Sequence, residues 1–284
     1  MKWIKLLIIP VVLALGLGIY QLSDETANGQ ADKAGVKGQN ADTEENNPTA
    51  AQTKMKIQSK RPNFADITDT KTKKSTFFEY MLPMIRNANT DIAAERAIVT
   101  PLLAKLVDGQ NLSAAEQGKL APLFDKYKID IDGELSTGDV NELLRRCDIV
   151  PASLVLAQSA NESAWGTSRF ATKGNNFFGL WCFSKGCGLT PAQRDDGASH
   201  EVASFDTVNQ GVRHYVHTIN TNNAYQRLRE IRADLRADNE AITGTILAEG
   251  LLRYSERGKA YVEEIQSMIR FNKLQRYTLD TTGA

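Results

Sequence analysis

The stretch from Pro151 to Trp165 opens on a strongly apolar run, Leu154 to Ala157, yet carries a carboxylate near its end, and this combination constrains the chain more than any other feature. Pro151 stands where a first helical turn tolerates a missing N–H, and Leu154, Val155, Leu156 and Ala157 follow without a polar face. The pattern predicts a core helix over 151–165, stopped by Gly166. Gln158 and Glu162 lie one turn apart and share a face, with Trp165 three residues further along it. An ionised carboxylate is costly to take out of water. Held against an aromatic ring, a carboxyl loses solvation, its pKa rises, and it keeps its proton near neutral pH. A general acid that protonates a leaving glycosidic oxygen needs that property. The plainer alternative is a surface Glu on an amphipathic helix.

The N-terminus has a different character. Lys2 and Lys5 precede an apolar run from Leu6 to Ile19, which predicts a secretory signal or signal-anchor over 1–22. The run is shorter than the ~20 residues a spanning helix needs. Export to the periplasm or cell envelope is the inference, with membrane attachment through this segment as one form of it. Residues 23–60 are rich in Ser, Asp, Glu, Thr, Asn, Gln and Lys, a composition that buries too little apolar surface to offset its ordering entropy. They are read as a flexible linker. With 34 basic and 34 acidic side chains and no formal net charge, the chain has no global field for gripping a phosphate backbone, so no nucleic-acid partner is expected.

From residue 61 onward helical periodicity dominates. Phe77, Phe78, Tyr80, Met81 and Leu82, then Met84 and Ile85, read as a helix broken by Pro83. Ile98, Leu102, Leu103 and Leu106 form a further run that Asp108-Gly109 ends. Ser113 and Glu116 have capping-box spacing ahead of Leu120, Leu123, Phe124 and Tyr127. Asp130-Ile131-Asp132-Gly133 fails the calcium-loop template and reads as a turn before a helix over 141–146. Glycines punctuate 174–197, where short aromatic and β-branched pieces predict an irregular lobe with one short hairpin. Helices return over 208–220, 224–237, 240–251 and 261–272. The fold class is mainly α (α+β): a helical segment over 61–147 packed on a domain over 148–284 that carries the β-hairpin lobe.

Ala157-Gln158, Glu162-Ser163-Ala164-Trp165-Gly166 and Gly174-Asn175-Asn176-Phe177-Phe178-Gly179 occur in that order. Together they resemble the glucosaminidase domain of glycoside hydrolase family 73, the peptidoglycan hydrolases of flagella and autolysis. Trp181-Cys182-Phe183, Gly186-Cys187-Gly188-Leu189 and Tyr254-Ser255-Glu256-Arg257-Gly258 are most similar to its Bax-like branch. The resemblance covers roughly 150–272. It implies a lysozyme-like α fold, cleavage of β-1,4 bonds in peptidoglycan glycan strands, most often after N-acetylglucosamine, and Glu162 as the catalytic acid. Tyr254 and Tyr261 correspond to the two tyrosines of the family's Y-A-T-D-P-x-Y-A stretch, the second lying near the reacting sugar. Gln158, Trp165, Asn176, Phe177, Phe178 and Tyr254 are the residues expected to bind substrate, although ordinary packing is the plainer account of Tyr254.

One departure bears on mechanism. The family's T-x-E segment precedes an A-x-F strand; here Ala203-Ser204-Phe205 matches the strand, but the Glu position falls near Pro191-Ala192. Asp195, Asp196 and Glu201 are the nearby carboxylates. A nucleophile, a base or the substrate's own acetamido oxygen, with Tyr261 to orient it, are the open routes. The leading reading is therefore an endo-β-N-acetylglucosaminidase that acts on peptidoglycan. Its rivals are a non-catalytic glycan-binding scaffold, which the missing T-x-E favours, and a muramidase or lytic transglycosylase.

Other signals are secondary. Cys182 and Cys187 flank a turn-prone loop and invite a disulfide in an exported protein, while Cys147 reads as a buried thiol. His214 and His217 share a helical face without acids to complete a metal cluster, so neither metal nor cofactor is expected. Arg227, Arg229, Arg232 and Arg236, interspersed with Glu230 and Asp234, read as a solvated helix face.

Overall fold

A computed structural model describes residues 54–191 and 200–278. The predicted signal over 1–22, most of the linker, Asp195 and Asp196 lie outside the described residues. The architecture is mainly α with a small antiparallel sheet. Among the described residues no helix is long and apolar enough to cross a membrane.

The predicted apolar helix is the centre of the core. It is α4, Ala152–Glu162, and its residues from Ala152 to Ala160 are all buried. A helix with apolar residues on all its faces and only small or hydrogen-bonded polar ones between them is covered on every side. Around it pack α1 (Thr70–Val107), α8 (Gly244–Leu247), α9 (Lys259–Phe271) and a 3-10 turn at Leu274–Tyr277. The helix ends earlier than predicted, at Glu162. Ala164, Trp165 and Gly166 all take positive φ, of 48°, 58° and 79°, and turn the chain away. A Cβ on Gly166 would sit 2.4 Å from the Phe64 ring, so both the backbone conformation and the packing require glycine there. Trp165 therefore leaves the Gln158–Glu162 face.

The expected break at Pro83 does not occur: α1 runs for 38 residues through both Pro83 and Pro101. A proline inside a helix costs about 3 kcal/mol. Phe77, Phe78, Met81, Met84 and Ile85 are all buried, and each contributes about 1.5–3 kcal/mol on leaving water, so packing outweighs the break. The predicted capping box at Ser113/Glu116 is formed ahead of α2 (Ala114–Lys126); a second, at Ser136/Asp139, which the sequence reading missed, starts α3 (Thr137–Arg146) four residues earlier than expected.

Residues 54–60, assigned by composition to the linker, are tied to the domain. Met55 exchanges two hydrogen bonds with the Asn87 side chain at 2.7 and 2.8 Å, and Lys54 pairs with Asp91 at 2.7 Å. Arg61 then donates to the carbonyls of Ala171 and Thr172 at the end of α5 (Arg169–Gly174), and Phe64 is buried against Phe77 and Tyr80.

The β lobe has three strands rather than a hairpin. β1 (Trp181–Cys182) and β2 (Gly188–Leu189) do not pair with each other; β3 (Glu201–Ala203) lies between them, antiparallel to both. Gly188 permits this, because a Cβ there would lie 2.0 Å from the Val202 carbonyl oxygen. Cys182 and Cys187 are disulfide-bonded, with Cα atoms 6.2 Å apart, and close the loop between β1 and β2.

The arginine-rich helix is another departure. In α7 (Gln226–Ala237) Arg229 and Arg232 are 2% and 1% exposed. Arg229 donates to the carbonyls of Ile219 and Asn222 at the end of α6 (Val208–Thr221). Arg232 donates to the carbonyls of Arg145, Asp148 and Ile149. Asp148, itself buried, pairs with Arg236 at 2.8 Å, Arg96 at 3.6 Å and Arg232 at 3.9 Å. Helical spacing marked this face as charged, but backbone carbonyls at the ends of α3 and α6 and in the α3–α4 connection lie there and need donors.

Candidate active site

Glu162 stands at the last turn of α4, where the buried helix reaches the edge of the core. Its Oε1 accepts a hydrogen bond of 2.8 Å from the Tyr261 hydroxyl on α9. The same hydroxyl oxygen accepts from Gln158 Nε2 at 2.9 Å, and Gln158 Oε1 accepts from the Tyr215 hydroxyl on α6. Three helices thus contribute to one directed chain of donors, Tyr215 to Gln158 to Tyr261 to Glu162. Gln158, Tyr215 and Tyr261 are buried. Burial pushes the phenols of Tyr215 and Tyr261 well above their usual range, so both remain hydroxyls that donate.

Burial also raises the Glu162 pKa. Hydrogen bonds from Tyr261 and Asn161 oppose the rise, the charge of Glu264 adds to it, and Arg257 opposes it. Arg257 and Glu264 form an ion pair at 2.8 Å, and Glu264 lies three residues beyond Tyr261 on α9. The far wall comes from the lobe: a Cβ on Gly179 would lie 3.6 Å from Glu162 Oε2.

The remaining predicted site residues support this arrangement from behind. Asn176 is buried and uses its whole amide: Nδ2 donates to the carbonyls of Leu180 and Ala203, and Oδ1 accepts from the N–H groups of Phe178 and Leu180. It clasps the loop that carries Gly179. Phe177 is buried against Phe77, and Phe178 stacks on Tyr215 at 4.1 Å. Tyr254 stacks on Tyr261 at 5.4 Å and donates to the Phe178 carbonyl at 2.8 Å. Gln158, Asn176, Phe177 and Phe178 are buried and present no open surface; they fix the Glu162 carboxyl and the loop beside it. Trp165 packs on Phe77 and Phe78 of α1, with the Lys74 ammonium 4.9 Å from its ring centroid. The rings gathered with Glu162 are tyrosines.

The single O–H of Tyr261 points to Glu162 and holds its carboxyl. Glu201 is buried, and its two oxygens accept from the backbone N–H groups of Gly186 and Gly188, at 3.1 and 2.8 Å. Cys182, Cys187 and Glu201 come within 4.8 Å of one another, but sulfurs joined in a disulfide are not thiolate ligands. His214 and His217 border a separate cavity of about 330 Å³, together with Asp91, Lys126 and Arg213. Tyr215 escaped sequence reasoning because a tyrosine among the valines of an amphipathic helix reads as core.

The protein is thus a helical domain that brings a desolvated carboxyl from its central helix to the edge of a small disulfide-closed β lobe. Residues 138–274 match the glucosaminidase family, described as mannosyl-glycoprotein endo-beta-N-acetylglucosaminidase. The chain is 34% identical over 201 residues to Protein bax of Escherichia coli (strain K12), covering 71% of this chain and 70% of that protein. It belongs to the Bax-like family of glucosaminidase-domain proteins. No solved structure matches it.

Proposed function

We propose that the protein is a glycoside hydrolase of the cell envelope that cleaves β-1,4 bonds in peptidoglycan glycan strands as an endo-β-N-acetylglucosaminidase, with Glu162 as general acid. The observation that carries this reading is the state of Glu162: a carboxyl at the end of a buried helix, its pKa raised by burial, its orientation held by Tyr261. A scaffold that only bound glycan would gain nothing from such a group, whose desolvation is costly. The Lys2 and Lys5 start and the apolar run that follows support the envelope assignment.

In this reading the acetamido oxygen of the substrate attacks the anomeric carbon as the glycosidic C–O bond breaks. The Glu162 proton passes to the leaving oxygen. Water then opens the cyclic intermediate, giving a proton back to Glu162. The commitment of Glu201 to two loop amides favours this route over a carboxylate at that position. The deciding experiment is digestion of purified peptidoglycan followed by product mass spectrometry. Reducing-end N-acetylglucosamine is expected. Reducing-end N-acetylmuramic acid or an anhydro product would assign the other bond or a transglycosylase, and the absence of any product would leave the scaffold.

A further inference from the structure

Trp181 opens β1 and leaves 56% of its surface exposed, and Phe183, two residues on, leaves 75%. Two large aromatics this exposed within three residues of chain are unusual unless something binds there. Trp181 is also held in place. Its backbone pairs with Val202 on β3, its neighbour Cys182 is in the disulfide, and Glu201 gathers the loop amides behind it. The His200 ring lies flat against one indole face, with centroids 4.3 Å apart and planes 9° apart. A parallel stack covers one face and sets the tilt of the ring, so the exposed area belongs to the other.

The location gives this surface meaning. Trp181 follows Gly179 by two residues, which span at most about 7 Å of chain. Gly179 is the wall beside the Glu162 carboxyl. An indole face is negative at its centre and attracts C–H groups, while its edge tolerates water. The ring of a β-linked N-acetylhexosamine matches this: its C–H bonds gather on its two faces and its hydroxyl and acetamido groups project from the rim.

We propose that the open face of Trp181 is a stacking platform for an N-acetylhexosamine ring of the glycan, a neighbour of the residue whose bond is cut. The proposal rests on the hydrolase reading above and adds where the strand is gripped. His200 backs the platform, and the rigid lobe presents it with little ordering left to do on binding.

The test uses the full-length chain carrying Glu162→Gln, so that bound glycan is not consumed. Binding of a β-1,4-linked N-acetylglucosamine tetramer is measured by calorimetry. Adding Trp181→Ala should weaken the Kd on the order of tenfold, and Trp181→Phe, which keeps a ring, should recover most of the loss. In the chain with Glu162 intact, Trp181→Ala should raise KM with kcat nearly unchanged, the signature of binding that does not change between ground and transition states. An unchanged Kd in Trp181→Ala, or a loss confined to kcat, overturns the platform while leaving the hydrolase reading in place. Full cleavage by Glu162→Gln removes the acid assignment, and the KM comparison of Trp181→Ala with the active parent then decides the platform. Failure of the Glu162→Gln parent to bind the tetramer at all removes the platform outright.

Discussion

The Tyr261 hydroxyl donates to Glu162 Oε1 at 2.8 Å while accepting from Gln158 at 2.9 Å, so the acid is held by a donor that is itself held. Tyr261 comes from α9 and Glu162 from α4, two helices packed along each other. A carboxyl anchored on one oxygen keeps the other, Oε2, facing the Gly179 wall. The hydrogen bond orients the acid but also lowers its pKa against the larger effect of burial, so the same contact sets position and proton affinity.

Glu162→Gln keeps the size and hydrogen-bonding capacity of the side chain but has no acid proton to give. Glycan cleavage should fall by at least ~100-fold, the lower range for general acid catalysis. The check is muropeptide release by a variant whose circular dichroism matches the parent. Near-parental release would remove Glu162 from the mechanism.

A general acid works while protonated, so activity should fall as pH rises through the Glu162 pKa. Tyr261 donates to the charged form and thereby lowers that pKa; Tyr261→Phe should move the falling limb to higher pH and also reduce kcat, because the carboxyl loses its anchor. Glu264 raises the pKa through its charge, so Glu264→Gln should move the limb to lower pH, and Arg257→Gln should move it up. Shifts of one sign for all three variants in pH–kcat profiles would contradict this account.

Asp148 is buried among Arg96, Arg232 and Arg236, and the guanidinium charges hold its carboxyl below the usual range despite burial. Its contribution to stability is complete above the unfolded carboxylate pKa, near 3.8, and is lost as pH falls through the lower folded value. Asp148→Ala leaves buried arginine charge uncompensated and should cost about 3–5 kcal/mol in urea unfolding at pH 7. The gap between variant and parent should narrow on acidification below pH ~4. A loss of under about 1 kcal/mol at pH 7 would mean that the arginines are satisfied by backbone carbonyls alone.

Removing residues 1–53 should leave folding and cleavage intact, because Lys54 and Met55, the first described residues, remain to tie the N-terminal strap to the domain. Extending the deletion through Phe64 should lower Tm markedly, since it takes away the Arg61 contacts to α5 and empties the space that Phe64 fills against Phe77 and Tyr80. Phe64→Ala alone should cost about 3–5 kcal/mol, as buried phenylalanines do. Equal melting temperatures for the two truncations would show that the strap adds nothing.

Features that depend on chemistry within one or two turns are legible along the chain. The run from Ala152 to Ala160 had to be buried on every side, Glu162 had to emerge at its end, and Ser113 with Glu116 had to start a helix, because side-chain polarity and capping act over one or two turns. The tertiary structure decided everything that depends on which element packs across from which. Tyr215 reaches Gln158 across 57 residues of chain, and Tyr261 reaches Glu162 across 99; neither pairing leaves a trace in local spacing. Pro83 stays inside α1 because Phe77 and Phe78, in the turns before it, are buried against Phe64, Trp165, Phe177 and Tyr277. Arg229 and Arg232 are drawn inside because helix ends meet there with carbonyls that lack donors. In each case the deciding energy comes from desolvation and hydrogen bonding between segments far apart in the chain, and that is settled only when the helices close on one another.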